Sequence, residues 1–137
     1  MIQFVNNFTL DHVLIAGNSA NTGAGIFLDG TNSHLSNLTL VANTAYFAGG
    51  AIGIRDVYQI ASDAYLSNSI LHGNYPQEIY TDGISVINNL TANYSNIDGG
   101  LDNVIIGGND NITWGDGNID ADPMFCGSNS SLSFDGI

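Results

Sequence analysis

Leu35 to Ala45 reads LSNLTLVANTA, and an earlier stretch, Leu10 to Ala20, reads LDHVLIAGNSA. At an offset of 25 the pairs Leu10/Leu35, Asn18/Asn43 and Ala20/Ala45 coincide. The next segment also recurs, one residue out of step: GAGIFL (Gly23 to Leu28) returns as GGAIGI (Gly49 to Ile54) at an offset of 26. One extra residue between Ala45 and Gly49 accounts for the change, and turns are where insertions are tolerated. A third copy, LSNSILHGN, runs from Leu66 to Asn74, and a degenerate fourth, NYSNIDGG, from Asn93 to Gly100. A unit of about 25 to 31 residues therefore repeats at least four times.

Each unit reads as short strand, Asn-containing turn, short strand, loop. Val13-Leu14-Ile15, Leu38-Thr39-Leu40 and Ser69-Ile70-Leu71 are the strand triplets, each followed by Asn18, Asn43 or Asn74. Asn tolerates the left-handed conformation and so suits a corner. Gly pairs before Ile26 and Ile52 allow tight turning into the next strand. A unit of two or three such strands cannot close a core alone, but stacked units pair in parallel and pile their aliphatic residues into ladders. The three asparagines then stack as an amide ladder that satisfies buried polar groups from coil to coil. The expectation is an all-β chain, a right-handed parallel β-helix (solenoid) of roughly five coils, as one domain. Its units fall at about 8–32, 33–62, 63–92 and 93–126, with 127–137 a truncated continuation. The competing antiparallel sandwich requires longer alternating strands and hairpin turns, and it gives no reason for a fixed period.

Composition agrees. Across 137 residues the apolar fraction is 44%, ordinary for a packed domain. Asn, Gly, Ser, Thr and Asp dominate the polar set, and the straight-chain helix formers are nearly absent, so no amphipathic helix can be drawn. Thirteen acidic residues face a single cation, Arg55, giving a formal charge of −12. That field repels phosphate backbones and anionic bilayers, which excludes nucleic acid as a partner, and it disfavours polyanionic substrates unless bound cations reverse it. No run approaches the ~20 apolar residues of a membrane helix, so this segment is not expected to insert in a membrane. Met1-Ile2-Gln3-Phe4-Val5 has no signal-peptide character. Both ends read as cuts through a repeat, so the chain is expected to be a fragment with further coils of a parent chain at each end. Cys126 is the lone cysteine, read either as a buried small hydrophobe or as half of a bridge to a cysteine outside the chain.

GGAI at Gly49 to Ile52 and GAGI at Gly23 to Ile26 resemble the Gly-Gly-Ala-Ile repeat motif of the polymorphic outer membrane protein family. The companion Phe-x-x-Asn motif is present in aliphatic form as Ile15-x-x-Asn18, Leu40-x-x-Asn43 and Leu71-x-x-Asn74. SNSILHGN (Ser67 to Asn74), YSNIDGG (Tyr94 to Gly100) and GNIDADPMF (Gly117 to Phe125) stand in the order seen in bacterial secreted β-helix proteins, which they resemble, of the pectin-lyase-like superfamily. The resemblance covers about residues 10 to 126. It implies an extracellular or cell-surface bacterial protein whose relatives continue into another coil and an anchor or transporter domain. It also implies a downstream cysteine as the partner of Cys126.

Folds of that superfamily include polysaccharide lyases and glycosidases, so each candidate residue is weighed for that chemistry. A lyase needs a base and Ca²⁺-binding carboxylates. Arg55 beside Asp56 is the sole candidate base; the plainer reading is a solvent-facing ion pair at a turn. Asp29 and Asp56 occupy nearly equivalent repeat positions and make a conceivable glycosidase pair, against the plainer reading of solvated turn aspartates. Asp110, Asp116, Asp120 and Asp122 could chelate Ca²⁺, the one cofactor the sequence brings into view, although turn chemistry also explains them. Gly107-Gly108-Asn109-Asp110 matches a calcium nonapeptide only superficially. His12, His34 and His72 lie in different phases, which speaks against zinc, and His12 shares its phase with Asn37 and Asn68. Tyr46, Phe47, Tyr58, Tyr65, Tyr75, Tyr80 and Trp114, mostly placed near turns, either stack on sugar rings or cap the small core. Sequons stand at Asn7, Asn37, Asn89, Asn93, Asn111 and Asn129.

No catalytic or cofactor-binding residue is assigned from the sequence. The expected role is a non-catalytic extracellular or cell-surface β-helix module for adhesion or glycan recognition. The alternatives are a fragment of a polysaccharide lyase or glycoside hydrolase and a passive structural stalk.

Overall fold

The structure, a computed structural model, describes residues 2–3 and 7–126. The segment read as a truncated continuation, 127–137, and the sequon at Asn129 lie outside the described residues. Sixteen strands, β1 to β16 in chain order, are present among the described residues with one short 3₁₀ turn at Gly100–Asn103. They form four sheets, and every pairing between these strands is parallel.

Sheet I holds β1 (Ile2–Gln3), β5 (Ile26–Asp29), β9 (Ile52–Arg55), β12 (Ile79–Gly83) and β15 (Val104–Gly108). Sheet II holds β2 (Phe8–Asp11), β6 (Asn32–Ser36), β10 (Asp63–Ser67), β13 (Asn89–Asn93) and β16 (Asn111–Trp114). Sheet III holds β3 (Leu14–Ala16), β7 (Thr39–Val41), β11 (Ile70–His72) and β14 (Asn96–Ile97), and sheet IV only β4 (Ser19–Thr22) and β8 (Thr44–Ala48). The chain visits I, II, III and IV in turn on its first two circuits and I, II and III on the later ones, each time returning to I beside its previous passage. The result is a parallel β-solenoid of about four turns, with β15 and β16 opening a further circuit.

Register obeys the sequence repeat. Leu10, Leu35, Leu66 and Ala92 form one inward column, Ile26, Ile52, Ile79 and Val104 a second, and Ile15, Leu40, Leu71 and Ile97 a third. Apart from Leu10 and Ile15 at the first turn these side chains are buried, and together with Leu28, Leu38, Ile54 and Leu90 they make one continuous core. No single turn buries its own inward face, so stability comes from stacking. The strand triplets expected from sequence sit one residue early, because the third-sheet strands begin at Leu14, Thr39 and Ile70.

Among the corners that turn through left-handed residues, two do so at the same repeat position in coil after coil. Between sheets II and III these are His12, Asn37, Asn68 and Tyr94, with φ of 56°, 54°, 50° and 50°. The phase shared by His12, Asn37 and Asn68 is therefore a conformational requirement as well as a surface position. Between sheets III and IV they are Gly17, Ala42 and Gly73. The asparagines one position later, at 18, 43 and 74, are not the left-handed residues. The turn belongs to the residue before, and the amide has another task.

Candidate functional site

Three corners carry polar columns that run along the axis of the solenoid. At the first, the Asn43 Oδ1 accepts the backbone N–H of Asn18 and its side-chain amide, both at 3.1 Å. Asn74 repeats this one coil on, accepting from Asn43 at 2.9 and 2.8 Å. The Nδ2 groups of Asn43 and Asn74 donate to the Ile15 and Leu40 carbonyls at 3.0 and 2.8 Å. The amide ladder expected from the sequence is thus present, and it ends on a residue that the sequence reading missed. Glu78, the lone glutamate in the chain, accepts the Asn74 N–H at Oε1 (3.0 Å) and the Asn74 Nδ2 at Oε2 (2.6 Å). Its carboxyl is fully buried. Desolvation raises its pKa from 4.5 to about 7, the Asn74 donors oppose the shift, and the negative charge of Asp98 adds to it.

The second column lies between sheets I and II. Asp29, wholly buried, accepts the Val57 N–H at 3.1 Å. Asp56 accepts three backbone N–H groups of the next coil, from Ile84, Ser85 and Val86, at 2.7, 2.6 and 2.9 Å. Burial works to raise the Asp56 pKa, but the three donors outweigh it and hold the carboxyl below its ordinary range. Asp110 reaches back the other way, to the N–H groups of Gly83 and Asn88, each at 2.8 Å. A Cβ at Gly83 would collide with the Asp110 carboxylate, so glycine leaves the space this side chain fills. Beside them Ser62 Oγ accepts the Thr31 N–H, and Asn88 Oδ1 accepts the Ser62 N–H. A third column runs from the Leu38 N–H through Ser69 and Ser95 to Asn118 Oδ1.

These columns correct several expectations. Asp29 and Asp56 are not solvated turn aspartates; each is buried and its carboxylate accepts backbone N–H groups at a corner. Arg55 does not pair with Asp56 at a turn. It ends β9 on the outer face of sheet I, and its Nη2 lies 3.3 Å from Asp82 Oδ2 in the next coil, with both side chains half-buried. Tyr80 stands on that face too; its phenol pKa is raised by burial first and then by Asp82. The tail aspartates do not converge. Asp110 serves the corner, Asp120 accepts the Gly99 N–H, and Asp122 accepts the Met124 N–H. Among the described residues no three His, Cys, Asp or Glu side chains gather as a metal-holding group. Cys126 is exposed rather than a buried hydrophobe.

The histidines are dispersed: His12 bonds Asp11, His34 stacks on Tyr65 with centroids 5.0 Å apart, and His72 lies 3.7 Å from Asp98. Asp11 also accepts from Asn37 and Ser36, and these bonds, Asn37 first, then Ser36 and His12, lower its pKa to about 2. The sequon side chains of Asn37, Asn89 and Asn111 are exposed but engaged, donating to Asp11, Asp63 and Asn89. The aromatics lie on strands more than at turns. Trp114 is half-buried against the core at the end of β16, Tyr65 is on sheet II and Tyr80 on sheet I. Tyr46 and Phe47 stand out from β8 in an edge-to-face pair, 79% and 66% exposed, with Tyr75 65% exposed on the next coil. Compared with protein-family models, curated proteins and solved structures, the chain matches none of them.

Proposed function

We propose that this solenoid is a non-catalytic recognition module of an extracellular or cell-surface protein, using its outer faces to hold a glycan or a host surface. The observation that carries the reading is the division of labour among its polar side chains. Asp29, Asp56, Asp110 and Glu78 are buried and committed to backbone or amide donors, while the large rings of Tyr46, Phe47 and Tyr75 are held in water. A hydrolase of the two-carboxylate type needs its acids free and facing a common space. The resemblance to secreted β-helix proteins in GGAI, SNSILHGN and GNIDADPMF supports the bacterial surface location and a place in the pectin-lyase-like superfamily.

One observation favours a second reading, a fragment of a polysaccharide lyase or hydrolase: Arg55, Asp82 and Tyr80 share the outer face of sheet I. A depolymerisation screen over neutral and acidic polysaccharides, with and without Ca²⁺, separates the two. The recognition reading expects retention of polysaccharide without chain scission. Scission that disappears in Arg55→Ala or Asp82→Ala would establish the enzyme instead.

A further inference from the structure

The extra residue between Ala45 and Gly49 has a structural consequence. Register along sheet IV passes from Ala20↔Ala45 to Thr22↔Ala48, so β8 bulges by one residue. Ala45 and Ala48 point inward and both Tyr46 and Phe47 point out. Coil three then takes a shortcut. It covers in four residues, Tyr75 to Ile79, the path that coil two covers in eight, Thr44 to Ile52. Beyond the bridge between Thr44 and Tyr75, the two coils are next joined by the Gly50 N–H donating to the Gln77 carbonyl. Tyr46 to Ala48 therefore overhang coil three, and Tyr75, itself exposed, stands at the start of the shortened path.

From this ledge we infer a binding site for a neutral carbohydrate chain, with Tyr46, Phe47 and Tyr75 stacking on sugar faces. The inference rests on the recognition reading above and assigns it a place and a ligand class. Bulges re-aim side chains, and here the bulge turns two adjacent rings to solvent where regular alternation would turn one of them in. The Tyr46 and Phe47 rings are nearly perpendicular, at 89°, with centroids 4.8 Å apart, so they offer two differently oriented apolar faces. Asn21, exposed on β4 between the two pairs that flank the bulge, offers an amide on the same sheet. A pyranose presents the matching chemistry, an apolar C–H face bordered by hydroxyls. Charge selects within that class. The chain carries −12, and Arg55, its lone Lys or Arg, is engaged by Asp82 on a different sheet. An acidic polysaccharide is therefore repelled where a neutral one is not. A partner's β-strand is disfavoured because the overhang is three residues long and bulged, which spoils edge pairing.

The test titrates the intact chain with cellohexaose, xylohexaose and mannohexaose, and with hexagalacturonate as the acidic counterpart, following binding by calorimetry and scission by chromatography. At least one neutral hexasaccharide should bind. Tyr46→Ala and Phe47→Ala should each weaken it by about tenfold or more, while Tyr65→Ala on sheet II leaves it unchanged. All three side chains are exposed, and circular dichroism would verify folding of the variants. Binding that survives Tyr46→Ala and Phe47→Ala but falls in Tyr65→Ala would overturn the ledge and leave the recognition reading standing. Preference for hexagalacturonate, or silence with all four probes, would overturn the inference. Scission of any probe would overturn the recognition reading itself.

Discussion

The carboxamide of Asn74 lies one coil beyond that of Asn43, and its single oxygen takes both the backbone and the side-chain N–H of Asn43. Asn43 does the same for Asn18. Position along the column sets what each amide is worth. Asn43 and Asn74 are buried, whereas Asn18 is exposed at the first turn. Asn43→Leu would fill the space but remove the amide that bonds the Ile15 carbonyl and the Asn18 donors, at about 1–3 kcal/mol for each group left buried and unpaired, while the Asn74 oxygen keeps the backbone N–H of residue 43. A total loss of roughly 3 kcal/mol is expected in urea unfolding, against about 1 kcal/mol for Asn18→Leu, which leaves the Asn43 oxygen its bond to the backbone N–H of residue 18. Equal losses at the two positions would show that the ladder does not act as a buried network.

Glu78 makes that ladder sensitive to pH in a direction opposite to most carboxylates. Its folded pKa, about 7, is above the ordinary 4.5, so between these values the folded chain holds a proton that the unfolded chain has released. Stability from this group is therefore complete below about pH 4.5, declines as pH rises, and is fully lost above about pH 7. The decline amounts to roughly 3 kcal/mol at most. Asp56, with its lowered pKa, acts in the other sense, losing its contribution as pH falls through the acid range. Urea midpoints measured from pH 4.5 to 7.5 should fall for the native chain and flatten in Glu78→Gln. An unchanged slope in the variant would place the titration elsewhere.

The repeat was legible because stacking is periodic. A parallel solenoid puts equivalent residues one coil apart, so Leu10/Leu35 and Asn18/Asn43 announce both the strand columns and the amide ladder. What stayed hidden depends on side-chain direction. Asp at a corner has the same local turn chemistry whether its carboxylate faces water or folds beneath the chain, so nothing in Asp29 or Asp56 alone declared the burial. The partner of Arg55 is Asp82, a full coil away, and sequence adjacency pointed to Asp56 instead. Glu78 was missed because the shortened turn from Tyr75 to Ile79 breaks the phase that exposed the other ladder members. Its being the one glutamate in the chain was the available signal. The ledge was half legible: the insertion before Gly49 was visible, but not that it would turn two rings outward together.

Asp56 provides a local test of corner bracing. Three consecutive amides, those of Ile84, Ser85 and Val86, end on its carboxylate, and Ile84 and Ser85 are otherwise exposed. Asp56→Ala removes both acceptor oxygens, and with them all three bonds, at once. Hydrogen exchange at residues 84 to 86 should accelerate strongly, with overall stability lower by about 2–4 kcal/mol, since bonds to a charged acceptor are the stronger kind. Asp56→Asn, which keeps one oxygen, should be intermediate. If exchange at these amides matched the native chain, the carboxylate would not be what holds the turn.

Not every buried hydroxyl in the solenoid is useful, and two of them predict opposite signs. Ser69 Oγ accepts the Leu38 N–H at 3.1 Å and donates to the Ser67 carbonyl at 2.7 Å. Ser69→Ala leaves the Leu38 N–H without its acceptor in a buried corner, while the Ser67 carbonyl keeps the Asn37 N–H, and should lower stability by about 1–2 kcal/mol. Thr81 lies in the inward column between Ile54 and Ile106, and its hydroxyl is buried with no hydrogen-bond partner among the described residues. Thr81→Val keeps the shape, removes the stranded group and continues the aliphatic column from Leu28 and Ile54, so it should raise stability by about 1 kcal/mol. Urea midpoints of the two variants should move in opposite directions from the native value at a common m-value. A fall in Thr81→Val would mean that the hydroxyl has a partner in solution, such as a trapped water, and that the column is a fourth polar ladder rather than part of the apolar core.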